Sequence, residues 1–116
     1  MRRIVVTRSV VCDASGVSQI ERAGDKEVTV RLGWEEITAV HAYKNDCYTV
    51  DLIRVAVSDK SGRMSIDASE EDAGYRELIG ALPQYLPGCK APEEWCLLVA
   101  FPAFAMQLTV LYRRDK

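Results

Sequence analysis

Short runs in which apolar and polar residues alternate dominate the first half of the chain. The clearest covers residues 28–32, where Val and Leu alternate with Thr and Arg, a period of two that is typical of a β-strand with one buried face. Residues 4–12 are rich in β-branched side chains, and residues 17–22 continue as a second strand. These three segments predict three consecutive strands.

Turn-forming residues separate the predicted strands. Residues 13–16 (Asp-Ala-Ser-Gly) and 23–26 (Ala-Gly-Asp-Lys) combine a polar acceptor with a glycine, which is the chemistry of hairpin turns. Gly33 then interrupts the third strand, and the three-residue step from Trp34 to Ile37 favours a tight turn or bulge. We therefore expect two hairpins, followed by a bend of the chain.

Further strands are predicted over residues 37–43 and 47–58, followed by a return strand that contains Met64 and Ile66. Within 47–58 the apolar positions change parity, which predicts either a bulge or a strand buried on both faces. The Ser-Asp-Lys-Ser-Gly run at 58–62 predicts the turn of another hairpin.

One helix is predicted near residues 70–85. Ser69 offers a side-chain oxygen to the first amides, acidic residues follow it, and apolar residues recur at helical spacing from Tyr75 to Leu82. Pro83, followed by the Pro-Gly pair at 87–88, is expected to end the helix.

Two more strands are predicted after the helix, over residues 95–101 and 107–112. A chain of 116 residues fits one domain. The sequence therefore predicts a single α+β domain, residues 1–116, with mainly antiparallel strands in a bent sheet, sandwich or barrel, one helix near 70–85 and two strands after it.

Charge and composition exclude several classes of protein. With 17 acidic and 15 basic residues the formal charge is −2, so no strong field favours a nucleic acid. The most apolar stretch, 95–106, is too short to span a bilayer, and no export signal precedes the first strand, so we expect a cytoplasmic protein. Basic residues do cluster at the two termini, as Arg2, Arg3 and Arg8 and as Arg113, Arg114 and Lys116.

The four cysteines give no sign of a metal or cofactor site. Cys12, Cys47, Cys89 and Cys96 form no Cys-x-x-Cys pair, and the chain has one histidine. We expect reduced thiols, no metal and no cofactor. Motifs for hydrolases and nucleotide binding are also absent from the sequence, which favours a protein that is not an enzyme.

The densest polar cluster surrounds the only histidine. His41, Lys44, Asp46 and Asp51 would converge if their two strands pair across a turn at residues 44–46. His41 could then work as an acid or base with Asp46 or Asp51 in a small enzyme or ligand-binding protein. Alternatively, these residues form an ordinary β-turn beside a histidine on a strand face.

Aromatic residues supply candidate binding positions of another kind. Phe101 and Phe104 flank a proline in a predicted connection, where they either pack under the loop or face a partner. Trp34 is likewise either a core anchor or a binding residue.

The Trp-Glu-Glu-Ile-x-x-Val segment at 34–40, the short antiparallel strands and the helix over 75–85 resemble the bacterial pleckstrin-homology-like domains. The resemblance covers roughly residues 10–85 and implies a bent, nearly orthogonal β-sandwich capped by a helix, used as a scaffold that binds peptides or proteins. Two predicted strands follow the helix that normally ends such a domain. Family members that bind phosphoinositides resemble one another in a basic first loop, whereas residues 13–16 (Asp-Ala-Ser-Gly) contain no basic residue, so phosphoinositide binding is not supported.

Three classes of function follow. The first is a non-catalytic interaction module that binds a protein or forms a homo-oligomer through a sheet edge or the loop around Phe104; an immunity-type protein that neutralises a toxin is one form of it. The second is the small enzyme or ligand-binding protein that uses His41. The third is an adaptor that meets an anionic membrane surface through the terminal arginines.

Overall fold

The computed structural model describes residues 6–46, 51–95 and 109–114, and at positions 45, 46 and 51 it describes the backbone alone. Two antiparallel sheets make up most of it, with strand orders β1-β2-β3 and β6-β5-β4-β7, which confirms the predicted α+β class. The elements are β1 (Val6–Asp13), β2 (Gly16–Ala23), β3 (Lys26–Gly33), a 3-10 turn (Trp34–Glu36), β4 (Ala39–Asp46), β5 (Asp51–Ser58), β6 (Met64–Ser69), α1 (Tyr75–Tyr85) and β7 (Thr109–Arg113).

The three-stranded sheet consists of the two predicted hairpins. In the first, Asp13 Oδ1 accepts hydrogen bonds from the amides of Ser15 at 2.8 Å and Gly16 at 3.0 Å. The hydrogen bond from Ser15 Oγ, together with these amides and the Arg31 guanidinium, holds the pKa of Asp13 well below its usual range. Gly16 is required here, because a Cβ at this position would overlap the carbonyl oxygen of Leu32 on β3. Local turn chemistry and a close backbone approach therefore fix this hairpin.

The four-stranded sheet has β5 and β4 as its inner strands. Val55, Ala56, Val57 and Ser58 are all buried, so this part of β5 is covered on both faces, and its pairing with β6 changes register between Val57 and Ser58. The burial on both faces agrees with one of the two alternatives predicted from the parity change; the register change at Val57 and Ser58 lies beyond that parity change, which falls between Leu52 and Ile53. The turn after β5 is also confirmed: Asp59 accepts hydrogen bonds from Ser61 and Ser65, which lowers its pKa to about 2.

The core lies between the two sheets and α1. Sheet residues on alternate positions meet the apolar face of the helix, as expected for a layered domain with one core. Its most deeply buried large side chains are Val17, Ile37, Val40, Val55, Val57, Ile66, Leu78, Leu82, Leu86, Trp95 and Leu111.

The helix begins later than the sequence predicted. Residues 70–73 form a turn in which Ser69 Oγ accepts from the amide of Glu71 and the amide of Ser69 donates to Asp72 Oδ2, so Ser69 stabilises this turn and not the first turn of α1. Gly74 precedes α1 with φ of +87°, a left-handed conformation that interrupts a right-handed helix. The predicted start at residue 70 is therefore wrong.

The helix ends at Tyr85, as predicted, although Pro83 does not end it. Pro83 lies inside α1, which continues to Tyr85, and the amide of Leu86 still donates to the carbonyl of Leu82. Gly88, with φ of +89°, lies just after the helix, where the Pro-Gly pair was expected to end it. Residues 92–95 are helical, so the strand predicted from residue 95 does not begin there, and the rest of that segment lies outside the described residues.

Candidate functional site

A hydrogen-bonded polar cluster occupies the face of the four-stranded sheet opposite the core. Asp67 on β6 accepts from the Tyr43 hydroxyl at 2.5 Å and from Arg54 Nε at 2.9 Å. Burial and the bond to Asp67 raise the pKa of Tyr43. Burial alone would lower the pKa of Arg54, but the carboxylate of Asp67 outweighs it and raises that pKa. The three side chains satisfy one another, which is typical of a structural network.

His41 lies beside this cluster on the same face of β4. It pairs with Ala56 across the sheet, and its Nδ1 is buried and has no hydrogen-bond partner within the described part of the chain. Partial burial and then the charge of Arg113 lower its pKa, so the imidazole is neutral near pH 7.

The structure does not bring His41 together with the two aspartates. The turn predicted at residues 44–46 is wrong, because β4 continues as a strand to Asp46, which pairs with Asp51. His41 lies five residues earlier on β4, roughly 16 Å away at the usual rise of a strand. An acid–base pair needs hydrogen-bond reach, which this register does not give.

Lys44 and Trp34 lie in or beside the core. Lys44 is 7% exposed on the face of β4 that also carries Val40 and Ala42. Trp34 is equally buried, donates from Nε1 to the carbonyl of Asp13 at 2.8 Å, and stacks on Tyr85 with ring centroids 4.7 Å apart. These contacts make Trp34 an anchor between the bend and the helix.

Arg114 has a structural role that its position near a charged terminus did not suggest. Its guanidinium donates to the carbonyl of Glu35 at 2.7 Å and to that of Trp34 at 3.0 Å, and its Nε donates to the Tyr112 hydroxyl. The side chain therefore ties the strand after the helix to the bend after β3.

The remaining predicted positions divide between described and undescribed segments. Phe101 and Phe104, and with them the predicted aromatic loop, lie outside the described residues. Cys12 and Cys89 are free thiols whose pKa burial raises to about 11, so neither is an activated nucleophile. No group of potential metal ligands occurs within 6–46, 51–95 and 109–114.

A surface that the sequence did not single out lies on the three-stranded sheet. Its far half, defined as residues 6–8, 21–23 and 26–29, extends beyond the packed core. Val6 is 52% exposed and Val28 is 60% exposed, although their positions in the alternation match those of buried Val10 and Leu32. The inward face of the sheet is therefore only half covered.

The far half carries charges of both signs that are already paired. Arg8 Nε lies 2.7 Å from Glu21 Oε2, and Arg22 Nε lies 2.7 Å from Glu27 Oε2, all with well exposed side chains. The outward face has a cleft beside these pairs. It is lined by the same two arginines, Arg8 and Arg22, and by Thr7, Ser9, Ile20 and Ala73. This pairing leaves the cleft without an uncompensated cation for an anionic ligand.

The edges of the two sheets differ in what covers them. At the β1 edge, the amide of Val10 donates to the carbonyl of Ala73 at 2.8 Å. At the β6 edge, the side-chain amide of Gln19 donates to the carbonyl of Asp67 at 2.6 Å and accepts from its amide at 3.2 Å. Within the described part of the chain, β3 pairs with β2 alone, which leaves its outer edge open.

The register of the hairpin shows which groups the open edge presents. A two-residue turn is closed by hydrogen bonds between its flanking residues, here Ala23 and Lys26. Hydrogen-bonded and non-hydrogen-bonded pairs alternate from there, so the even-numbered residues of β3 bond to β2. The amides and carbonyls of Glu27, Thr29 and Arg31 therefore point outward from the edge.

No family model, no curated protein and no solved structure matched the chain. Among the described residues, no helix has the length and apolar character needed to cross a membrane.

Proposed function

We propose that this chain is a non-catalytic protein-interaction module that binds an extended segment of a protein along the open edge of β3. The observation that carries the proposal is the exposed row of backbone groups at Glu27, Thr29 and Arg31, next to an apolar face on which Val28 is 60% exposed. Strand addition uses such a row for affinity and the alternating side chains for specificity.

The contrast with the other edges supports the same proposal. Exposed edges are a hazard that proteins cover: at the β1 edge the Ala73 carbonyl accepts from the Val10 amide, and at the β6 edge the Gln19 side chain bonds to the backbone of Asp67. An edge left open beside an uncovered apolar face fits a surface that is covered in a complex.

A proline scan of the two edges of the sheet tests this function. Thr29→Pro removes an outward amide, which an edge strand tolerates, and so blocks strand addition without breaking the β2–β3 ladder. Arg8→Pro is the matched control, because the alternation also directs its amide outward, but at the β1 edge. Both variants are compared with the parent chain by circular dichroism before binding is measured.

The three tagged chains are incubated with a lysate of the source cells that also contains an untagged copy of this chain, and retained proteins are quantified by mass spectrometry. We expect the parent chain and Arg8→Pro to retain one protein at near-stoichiometric amounts and Thr29→Pro to lose at least about 90% of it. Equal retention by all three chains, or retention by none, would contradict the proposal.

A further inference from the structure

We infer that the strand which pairs with β3 is β3 of a second copy, so that two chains form a symmetric dimer with a continuous six-stranded sheet; the inference rests on the proposed function. The two strands run antiparallel about a two-fold axis, as isologous dimers require. Each copy then supplies the same open edge to the other.

The alternation of hydrogen bonds limits the registers that such a dimer can adopt. Outward-pointing groups belong to odd-numbered residues, so an odd residue must face an odd residue. The two-fold axis then passes through position 28, 29 or 30. An axis at Val28 pairs Glu27 with Thr29, and an axis at Val30 pairs Thr29 with Arg31. Neither axis therefore places an acidic residue of one β3 opposite a basic residue of the other β3.

An axis at Thr29 gives the complementary arrangement. Glu27 of each copy then lies opposite Arg31 of the other on the outward face. Each of these residues already has an ion pair within its own sheet, Glu27 with Arg22 and Arg31 with Asp13, and the register adds a second residue of opposite charge across the axis. On the inward face, Val28 of each copy faces Val30 of the other and gains a partner for its exposed side chain. Thr29 faces Thr29 on the axis, a favourable cross-strand pair. Charge and apolar matching therefore favour one register.

One strand pair buries little surface, so we expect a weak dimer with a dissociation constant on the order of 10 μM. Sedimentation velocity from about 1 μM to about 1 mM measures it. Glu27→Arg places like charges at both pairs and should weaken the dimer about tenfold, and adding Arg31→Glu to it restores opposite charges and should recover most of the loss.

Cysteine cross-linking reads the register itself. Cα atoms of a hydrogen-bonded antiparallel pair lie about 5.5 Å apart, within disulfide range. Thr29→Cys should therefore form a covalent dimer under mild oxidation, seen on a non-reducing gel, in yields well above the parent chain. Val28→Cys is the matched control: its side chain is exposed but lies off the axis, so it should remain monomeric on the same gel.

Three results would overturn the inference: a monomer at 1 mM, on the order of a hundred times the expected constant; a dimer unaffected by Glu27→Arg; or cross-linking at position 28 in place of 29. They are distinguishable from failure of the proposed function. A chain that stays monomeric but retains a different protein, and loses it with Thr29→Pro, contradicts the second copy as partner and leaves strand addition at β3 intact.

Discussion

The two edges of the three-stranded sheet differ in what lies beside them. Along β1, the segment before α1 approaches closely enough for the Val10 amide to reach the Ala73 carbonyl, and Ser9 and Ala73 form a parallel bridge. Along β3, no described strand other than β2 is hydrogen-bonded. The strands are equally long and come from the same pair of hairpins, so strand sequence alone does not decide which edge is covered.

The difference originates in one segment that is distant in sequence. Residues 70–74 turn before the helix, and this turn delivers Ala73 to β1 and directs α1 against the core. Within residues 6–46, 51–95 and 109–114, no comparable segment pairs with the outer edge of β3, where the charged residues Lys26, Glu27 and Arg31 protect against indiscriminate pairing. The same charges select the register of a specific pair.

Proline substitutions at two neighbouring positions of β3 should differ most in how far they lower the free energy of unfolding. Val30→Pro removes an amide that bonds to β2 and should lower the free energy of unfolding by about 3 kcal/mol or more. Thr29→Pro removes an outward amide and should lower it by about 1 kcal/mol or less. Urea denaturation, at a protein concentration where the chain is monomeric, measures both losses of stability. Equal losses would mean that Thr29 does not face an open edge.

The β1 edge can be broken at Gly74. A Cβ there would overlap the carbonyl oxygen of Val10, and the φ of +87° is unfavourable for any other residue. Gly74→Ala should therefore destabilise the fold by about 3 kcal/mol. Gly80→Ala is the matched control, because its Cβ meets nothing in α1 and alanine favours a helix, so stability should rise by up to about 1 kcal/mol.

Thermal unfolding of the two alanine variants distinguishes a close approach from a general effect of glycine. Hydrogen exchange at the Val10 amide adds a local readout, since loss of the Ala73 contact should expose it selectively. A Gly74→Ala variant as stable as the parent would show that the segment before α1 can withdraw from β1 at no cost.

The covered β6 edge allows a smaller test. Gln19→Leu removes both hydrogen bonds to the backbone of Asp67 but keeps an apolar stem of similar size. We expect a loss of about 2 kcal/mol, since two partly buried backbone groups lose their partners. Glu21→Leu, on the same face of β2 but farther from β6, is the control and should change stability by less than about 1 kcal/mol. Similar losses would contradict an edge-capping role for Gln19.

The sequence predicted what depends on neighbouring residues. The hairpin turns at 13–16 and 58–62 follow from side chains that bind amides two to four residues away, and both are present. The start of α1 was missed because Gly74 is fixed by Val10, which lies far away in sequence. The extension of β4 to Asp46 was missed because pairing with β5 outweighs the turn preference of Asn and Asp.

The candidate site was less predictable for the same reason. His41 and the aspartates are close in sequence, but the register of β4 and β5 separates them. The open edge of β3 could not be read from its alternation, which is the same in a covered and an uncovered strand. Whether a distant segment covers an edge is a tertiary property. The bacterial pleckstrin-homology-like resemblance stays a prediction.

The smallest expected effect concerns the other edge of the four-stranded sheet, which is formed by β7. It is an effect of pH on the free energy of unfolding. β7 is a five-residue strand, and its pairing with β4 shifts register between Val40 and His41, a short and irregular edge of the kind that resists further pairing. Because burial lowers the pKa of His41, the unfolded chain binds a proton below pH 6.5 more readily than the folded chain. Stability should therefore be full above about pH 7 and fall as the pH drops through 6.5.

The slope can reach at most about 1.4 kcal/mol per pH unit for one group. Asp13 and Asp59, whose pKa values are lowered, contribute only below their ordinary range near pH 4, so the two effects separate. His41→Gln should flatten the free energy of unfolding between about pH 5 and pH 7 and leave the acid limb unchanged. Because His41 pairs with β7 and lies near Arg113, the protection of β7 amides, after correction for the pH dependence of intrinsic exchange, should fall at pH 5.5 in the parent chain alone. If His41→Gln leaves the slope of the unfolding free energy against pH unchanged, another group causes the pH dependence and His41 does not contribute to it.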